Sequence, residues 1–84
     1  MKVAVKIRLK KSILDPQGKA VNHALHQLGF ADISSVRVGK LIELEVADGQ
    51  SREEIQKVVE DASRKLLANT VIEDFEIEYP EDAS

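Results

Sequence analysis

The sequence has no cysteine. That excludes disulfides, thiolate nucleophiles, iron–sulfur clusters and the common structural zinc sites. A domain this small in an oxidising compartment usually carries disulfides, so an intracellular, cytoplasmic home is expected. No apolar run approaches the length of a membrane span. Met1-Lys2-Val3-Ala4-Val5-Lys6 alternates charge and apolarity and lacks the continuous apolar region of a signal peptide. Positive charge is not in excess: 12 basic residues face 15 acidic ones, for a net charge of -3. Bulk attraction to nucleic acid is therefore not expected. The 84 residues read as one domain, 1–84. Such a domain buries roughly 60–65% of the surface of its unfolded chain. That leaves room for one core layer and little for a deep pocket, and it favours association.

What the sequence does hold is regular patterning. Residues 2–10 alternate, with Val3, Val5, Ile7 and Leu9 on one face and Lys2, Ala4, Lys6, Arg8 and Lys10 on the other. Period two with β-branched residues predicts a half-buried strand. Asp15 is a good N-cap and Pro16 suits the first helical position, so a helix is expected over about Pro16–Leu28, closed by Gly29. Ala20, Val21, Ala24, Leu25 and Leu28 form its apolar stripe. Residues 33–39 and 41–46 predict two strands around a turn or bulge at Gly39-Lys40. Ser51-Arg52-Glu53-Glu54 spells a capping box that opens a helix over about Arg52–Ala68. Its stripe is Ile55, Val58, Val59, Ala62 and Leu66. A last strand is expected over Val71–Tyr79, stopped by Pro80 and followed by a frayed tail, Glu81–Ser84.

The order β-α-β-β-α-β predicts an α+β fold, a ferredoxin-like sandwich with a four-stranded antiparallel sheet and two helices on one face. There the first strand lies between the third and the fourth. Its polar face is basic, while Glu43 and Glu45 on one expected neighbour and Asp74, Glu76 and Glu78 on the other are acidic. The charges suit that strand order.

Candidate chemistry is sparse. His23 and His26 share a helix surface with Lys19 but have no carboxylate, thiol or nucleophile beside them, so a solvent- or partner-facing surface is expected. Asp74, Glu76 and Glu78 fall on an open face beside lysines, where nothing raises a carboxyl pKa for acid catalysis. Gly18, Gly29, Gly39 and Gly49 sit in separate turns and form no phosphate cradle. RNA-recognition modules share this topology but stack bases on aromatics of the central strands. Lys6, Arg8, Glu43 and Glu45 stand there instead. No catalytic, cofactor-binding or metal-ligating residue is assigned.

The run Leu14-Asp15-Pro16-Gln17-Gly18-Lys19-Ala20-Val21, with Val36-Arg37-Val38-Gly39-Lys40 and Ile42-Glu43-Leu44, resembles the PurS family. Its members are the small subunits of bacterial and archaeal phosphoribosylformylglycinamidine synthase. The likeness covers nearly the whole chain, and the Asp15–Ala20 run carries most of its specificity. The resemblance implies a part in purine biosynthesis. The enzyme converts formylglycinamide ribonucleotide, glutamine and ATP to formylglycinamidine ribonucleotide. It further implies no active site on this chain, ATP and magnesium used by a large synthetase subunit, and ammonia released by a glutaminase subunit. The small subunit would join the two, aid ammonia transfer, and form dimers or tetramers.

Candidate interface residues are Asp15, Pro16, Gln17, Gly18, Arg37, Gly39 and Lys40, with the Arg37, Lys40 and His26 surfaces the weaker ones; capping alone also accounts for Asp15 and Pro16. The alternative is an amino-acid-sensing regulatory domain of the ACT type. That type carries a glycine-rich turn after its first strand, and Lys10–Pro16 contains no glycine.

Overall fold

The alternating N-terminal segment builds the centre of the molecule. In the computed structural model, which describes residues 1–79, strand β1 spans Lys2–Leu9. Val3, Val5 and Ile7 on its inner face are at most 1% exposed. Strands β2 (Lys40–Glu45) and β3 (Glu73–Glu78) pair antiparallel with its two edges, giving the order β2-β1-β3. The expected central place of the first strand is therefore observed. The register sets Lys6 opposite Glu76 and Arg8 opposite Asp74. The ion pairs nevertheless run diagonally: Lys6 to Glu78 at 2.7 Å, Arg8 to Glu76 at 3.3 Å and Lys10 to Asp74 at 3.8 Å. A consistent offset of this kind suits the twist of neighbouring strands. Exposed pairs of this kind add little to stability. Their main effect is on register, since a one-residue slip would turn Val3, Val5 and Ile7 outward. On the other edge, Glu45 lies 3.6 Å from the N-terminal ammonium and Glu43 faces Ala4.

Helix α2 (Arg52–Ala62) begins with the expected capping box. The Glu54 N–H donates to Ser51 Oγ at 3.2 Å, and the Ser51 N–H donates to Glu54 Oε1 at 3.0 Å. Ile55 and Val59 are buried with Val3, Val5, Ile7 and Ala68 in one core. The helix continues as a π-helical turn, Ser63–Leu67, where the Ala68 N–H reaches back to the Ser63 carbonyl. One extra residue in the turn rotates the residues after it. Leu66, expected in the apolar stripe, is 82% exposed, while Leu67 and Ala68 turn inward. Ser63 is fully buried, and its hydroxyl donates to the Val59 carbonyl at 2.8 Å.

Two expectations need correction. Residues 33–39 form no strand, so the described sheet has three strands rather than four. The Val38 N–H is taken by the Asp15 carboxylate, and the Arg37 side chain is tied to the loop before α1, so this stretch is committed to the loop instead of a ladder. Helix α1 (Pro16–Gln27) forms where expected but does not lie on the sheet. It buries only Gly18 and contributes no side chain to the core, which α2 covers. Leu28 at its end is 73% exposed, and Ala20, Val21 and Ala24 are exposed as well. The radius of gyration is 16.5 Å, against about 12 Å for a compact chain of this length. The expectations for Pro80 and for Glu81–Ser84 lie outside the described residues.

Candidate subunit interface

The first turn of α1 and the stretch 36–39 are joined by one carboxylate. Asp15 has extended backbone and caps α1, with Oδ1 accepting the Gly18 N–H at 3.0 Å. Its second oxygen accepts the Val38 N–H at 2.8 Å, bridging 23 residues of sequence. Asp15 is buried, yet both oxygens are satisfied. The two backbone donors, Val38 first and Gly18 second, hold its pKa below the usual carboxylate range against the opposing effect of burial; the Arg37 charge adds to them.

Glycine at 18 is a matter of space. A Cβ there would lie 2.2 Å from the Val36 carbonyl oxygen and 2.8 Å from Asp15 Oδ2. At Gly39 it would lie 2.5 Å from the Ile7 carbonyl oxygen. Arg37 completes the cluster: its Nη2 donates to the Lys10 carbonyl at 2.9 Å and the Ile13 carbonyl at 3.0 Å. Asp15, Gly18, Arg37 and Gly39 are therefore brought together, as a clamp that fixes the loop before α1 to the stretch before β2. Pro16 and Gln17 sit exposed on the first helical turn. Lys40 opens β2, with its ammonium 3.6 Å from Glu73. His26 is spent locally, Nε2 lying 2.6 Å from the Ile33 carbonyl oxygen, and His23 is exposed.

Asn22 joins this region without having been singled out in the sequence. It lines a cleft of about 250 Å³ with Asp15 and Gly18, and its buried Oδ1 accepts no hydrogen bond among the described residues. The sole sequence signal was an asparagine, a poor helix former, inside a helix.

The Asp15 geometry sets a pH dependence. A carboxyl whose folded pKa lies below its unfolded value of about 3.9 stabilises the fold above that value. That contribution is lost as pH falls through the lower, folded pKa. Asp15→Asn is expected to lower the melting temperature at pH 7, and the gap to wild type should narrow below about pH 4. Thermal melts followed by circular dichroism from pH 7 to pH 2 check this.

Among the described residues, no three His, Asp or Glu side chains group as metal ligands, and no helix is long and apolar enough to cross a membrane. An α+β domain whose described residues form a three-stranded sheet, with an uncovered apolar helix face and a hydrogen-bonded surface clamp, has the makings of a small accessory subunit. Residues 2–81 match the family model of PurS, described as phosphoribosylformylglycinamidine (FGAM) synthase. The phosphoribosylformylglycinamidine synthase subunit PurS of Bacillus subtilis is 46% identical over 80 residues, which is 95% of this chain and 93% of that one. A crystal structure of Bacillus subtilis PurS superposes with a TM-score of 0.81 at 45% identity, covering 95% of this chain and 98% of that one. PurLQS from Thermotoga maritima contains a chain that matches with a TM-score of 0.83 at 28% identity, covering 92% and 93%. The chain belongs to the PurS family of phosphoribosylformylglycinamidine synthase subunits. The amino-acid-sensing alternative gains no support from these comparisons.

Proposed function

We propose that this chain is the non-catalytic assembly subunit of its synthase, joining the glutaminase and synthetase subunits and aiding passage of ammonia between them. In this reading the complex amidates formylglycinamide ribonucleotide with glutamine and ATP in the cytoplasm, and ATP and magnesium are used by the large subunit. The observation that carries it is the uncovered apolar surface on and just beyond α1: Val21 on the helix is 42% exposed, and Leu28 and Phe30 past its end are 73% and 55% exposed. Contiguous exposed apolar patches mark interaction sites. The match to a chain of PurLQS supports partners of that type. Asp15, Pro16, Gln17, Gly18, Arg37, Gly39 and Lys40 then shape subunit contacts. The four-stranded sandwich with both helices on one face becomes a property of the associated subunit, once α1 and residues 33–39 find a second chain.

Co-purification with the glutaminase and synthetase subunits of the same source tests this reading. One ternary complex is expected by size-exclusion chromatography with light scattering. Leaving the chain out should abolish glutamine-dependent amidation while sparing amidation driven by added ammonia. A chain that stays apart from both partners, with glutamine and nucleotide present, would defeat the proposal.

A further inference from the structure

Residues 11–39 leave β1 and return to β2 as one excursion, and they stand apart from the core. Among the described residues, the buried apolar core and the apolar side chains packed against it come from 1–7, 42–46, 55–59, 67–68 and 75–79. Within 11–39 only Asp15 and Gly18 are buried, and the apolar side chains are at best partly buried. The polar contacts are equally self-contained. Asp15 holds Val38, His26 meets Ile33, and Arg37 holds Ile13 and Lys10. Among the described residues no side-chain hydrogen bond or ion pair runs from this segment to α2 or β3. Arg37 closes the neck, because Lys10 directly follows β1. The one regular element in the segment is the twelve-residue α1, and a helix of that length is marginal by itself in water. Segments with few buried apolar contacts open at lower free energy than the core to which they are attached.

We infer that residues 11–39 form a latched arm that opens and recloses as one unit while the three-stranded sheet and α2 stay folded. Asp15 and Arg37 are the latch. The arm carries the uncovered apolar surface, so a chain that covers α1 selects the closed form, and its apparent affinity is scaled by the closed fraction. That coupling rests on the assembly role proposed above; the opening itself does not.

Amide hydrogen exchange of the full chain, read residue by residue by NMR, tests both. After correction for intrinsic rates, the hydrogen-bonded amides of α1 are expected to exchange roughly tenfold or more faster than those of β1. Ile7→Val weakens the core in the closed and the open form alike. It should speed exchange in β1 and α2 about two- to tenfold and leave α1 unchanged. Asp15→Asn has one oxygen where two are needed, so the Gly18 or the Val38 N–H meets a second donor, and α1 exchange should rise roughly tenfold. Arg37→Gln leaves the helix cap intact and should act in the same direction. An α1 that exchanges in step with β1 in wild type, or that speeds up with it in Ile7→Val, overturns the unit. An α1 unchanged in Arg37→Gln reduces Asp15 to its cap and overturns the latch. Adding the glutaminase and synthetase subunits should slow α1 exchange. A complex that forms, by light scattering, without slowing it overturns the coupling. Failure to form any complex overturns the assembly role and leaves the unit standing on the measurements of the chain alone.

Discussion

Replacing Ile7 with alanine is expected to lower the free energy of unfolding by about 2–5 kcal/mol, measured by urea titration. Ile7 is 1% exposed and sits in the central strand, paired on both sides, so no loosely held neighbour can fall into the space left behind. A chain of this length has on the order of 4–13 kcal/mol of stability in total. The loss is therefore a large part of what holds the fold, and the variant should be partly unfolded near body temperature. Ile7→Val removes one methylene and is expected to cost about 0.5–1.5 kcal/mol, which separates a cavity effect from a change of topology. Equal losses in the two variants would show that Ile7 is less confined than its burial implies.

The second large effect is expected at Gly18. In a free helix, alanine would be favoured over glycine by about 1 kcal/mol. Here the added methyl would meet a backbone carbonyl oxygen at 2.2 Å, and backbone cannot swing aside as a side-chain tip can. Overpacking of this kind costs about 1–3 kcal/mol, and it should outweigh the gain in helix propensity. Each kcal/mol lost lowers the melting temperature of so small a domain by about 4–8 °C. Gln17→Ala, one position earlier on the exposed side of the same turn, is expected to stay within about 0.5 kcal/mol of wild type. Differential scanning calorimetry of the two variants side by side checks the contrast. A Gly18→Ala protein that melted higher than wild type would show that α1 is not seated against residues 36–38.

What could be read from the sequence was what depends on near neighbours along the chain. The period-two pattern of β1 and the capping box of α2 are local signals, and both elements formed as expected. The basic face of β1 and the acidic face of β3 were legible too, because alternation alone decides which side chains share a face; only their diagonal offset needed the three-dimensional structure. Residues 33–39 misled for the converse reason. Val36 and Val38 read as strand, but the fate of their backbone is set by Asp15 and Arg37, whose reach across the chain leaves no trace in local composition. The apolar stripe of α1 is legible in the sequence. Periodicity says that a helix face seeks cover, not which chain supplies it. The π-helical turn was invisible because Ser63–Leu67 contains no residue that demands one. At the candidate interface, Asp15 and Pro16 were legible as a helix start, whereas the need for glycine at 18 and 39 comes from carbonyls that arrive from other segments.

The place of β1 in the sheet also governs when the molecule can fold. It is made first, yet its partners arrive late: Val5 pairs with Ile42 on one side and with Ile77 on the other. Neither ladder can close until some forty and then some seventy residues have been added, and each closure gives up loop entropy before any contact repays it. Pairings so distant along the chain slow folding toward the millisecond-to-second range typical of non-local topologies. During synthesis the ribosome releases Val3, Val5 and Ile7 well before β3 exists, so the central strand waits unpaired, and the sheet is completed only once residues 73–78 have been made.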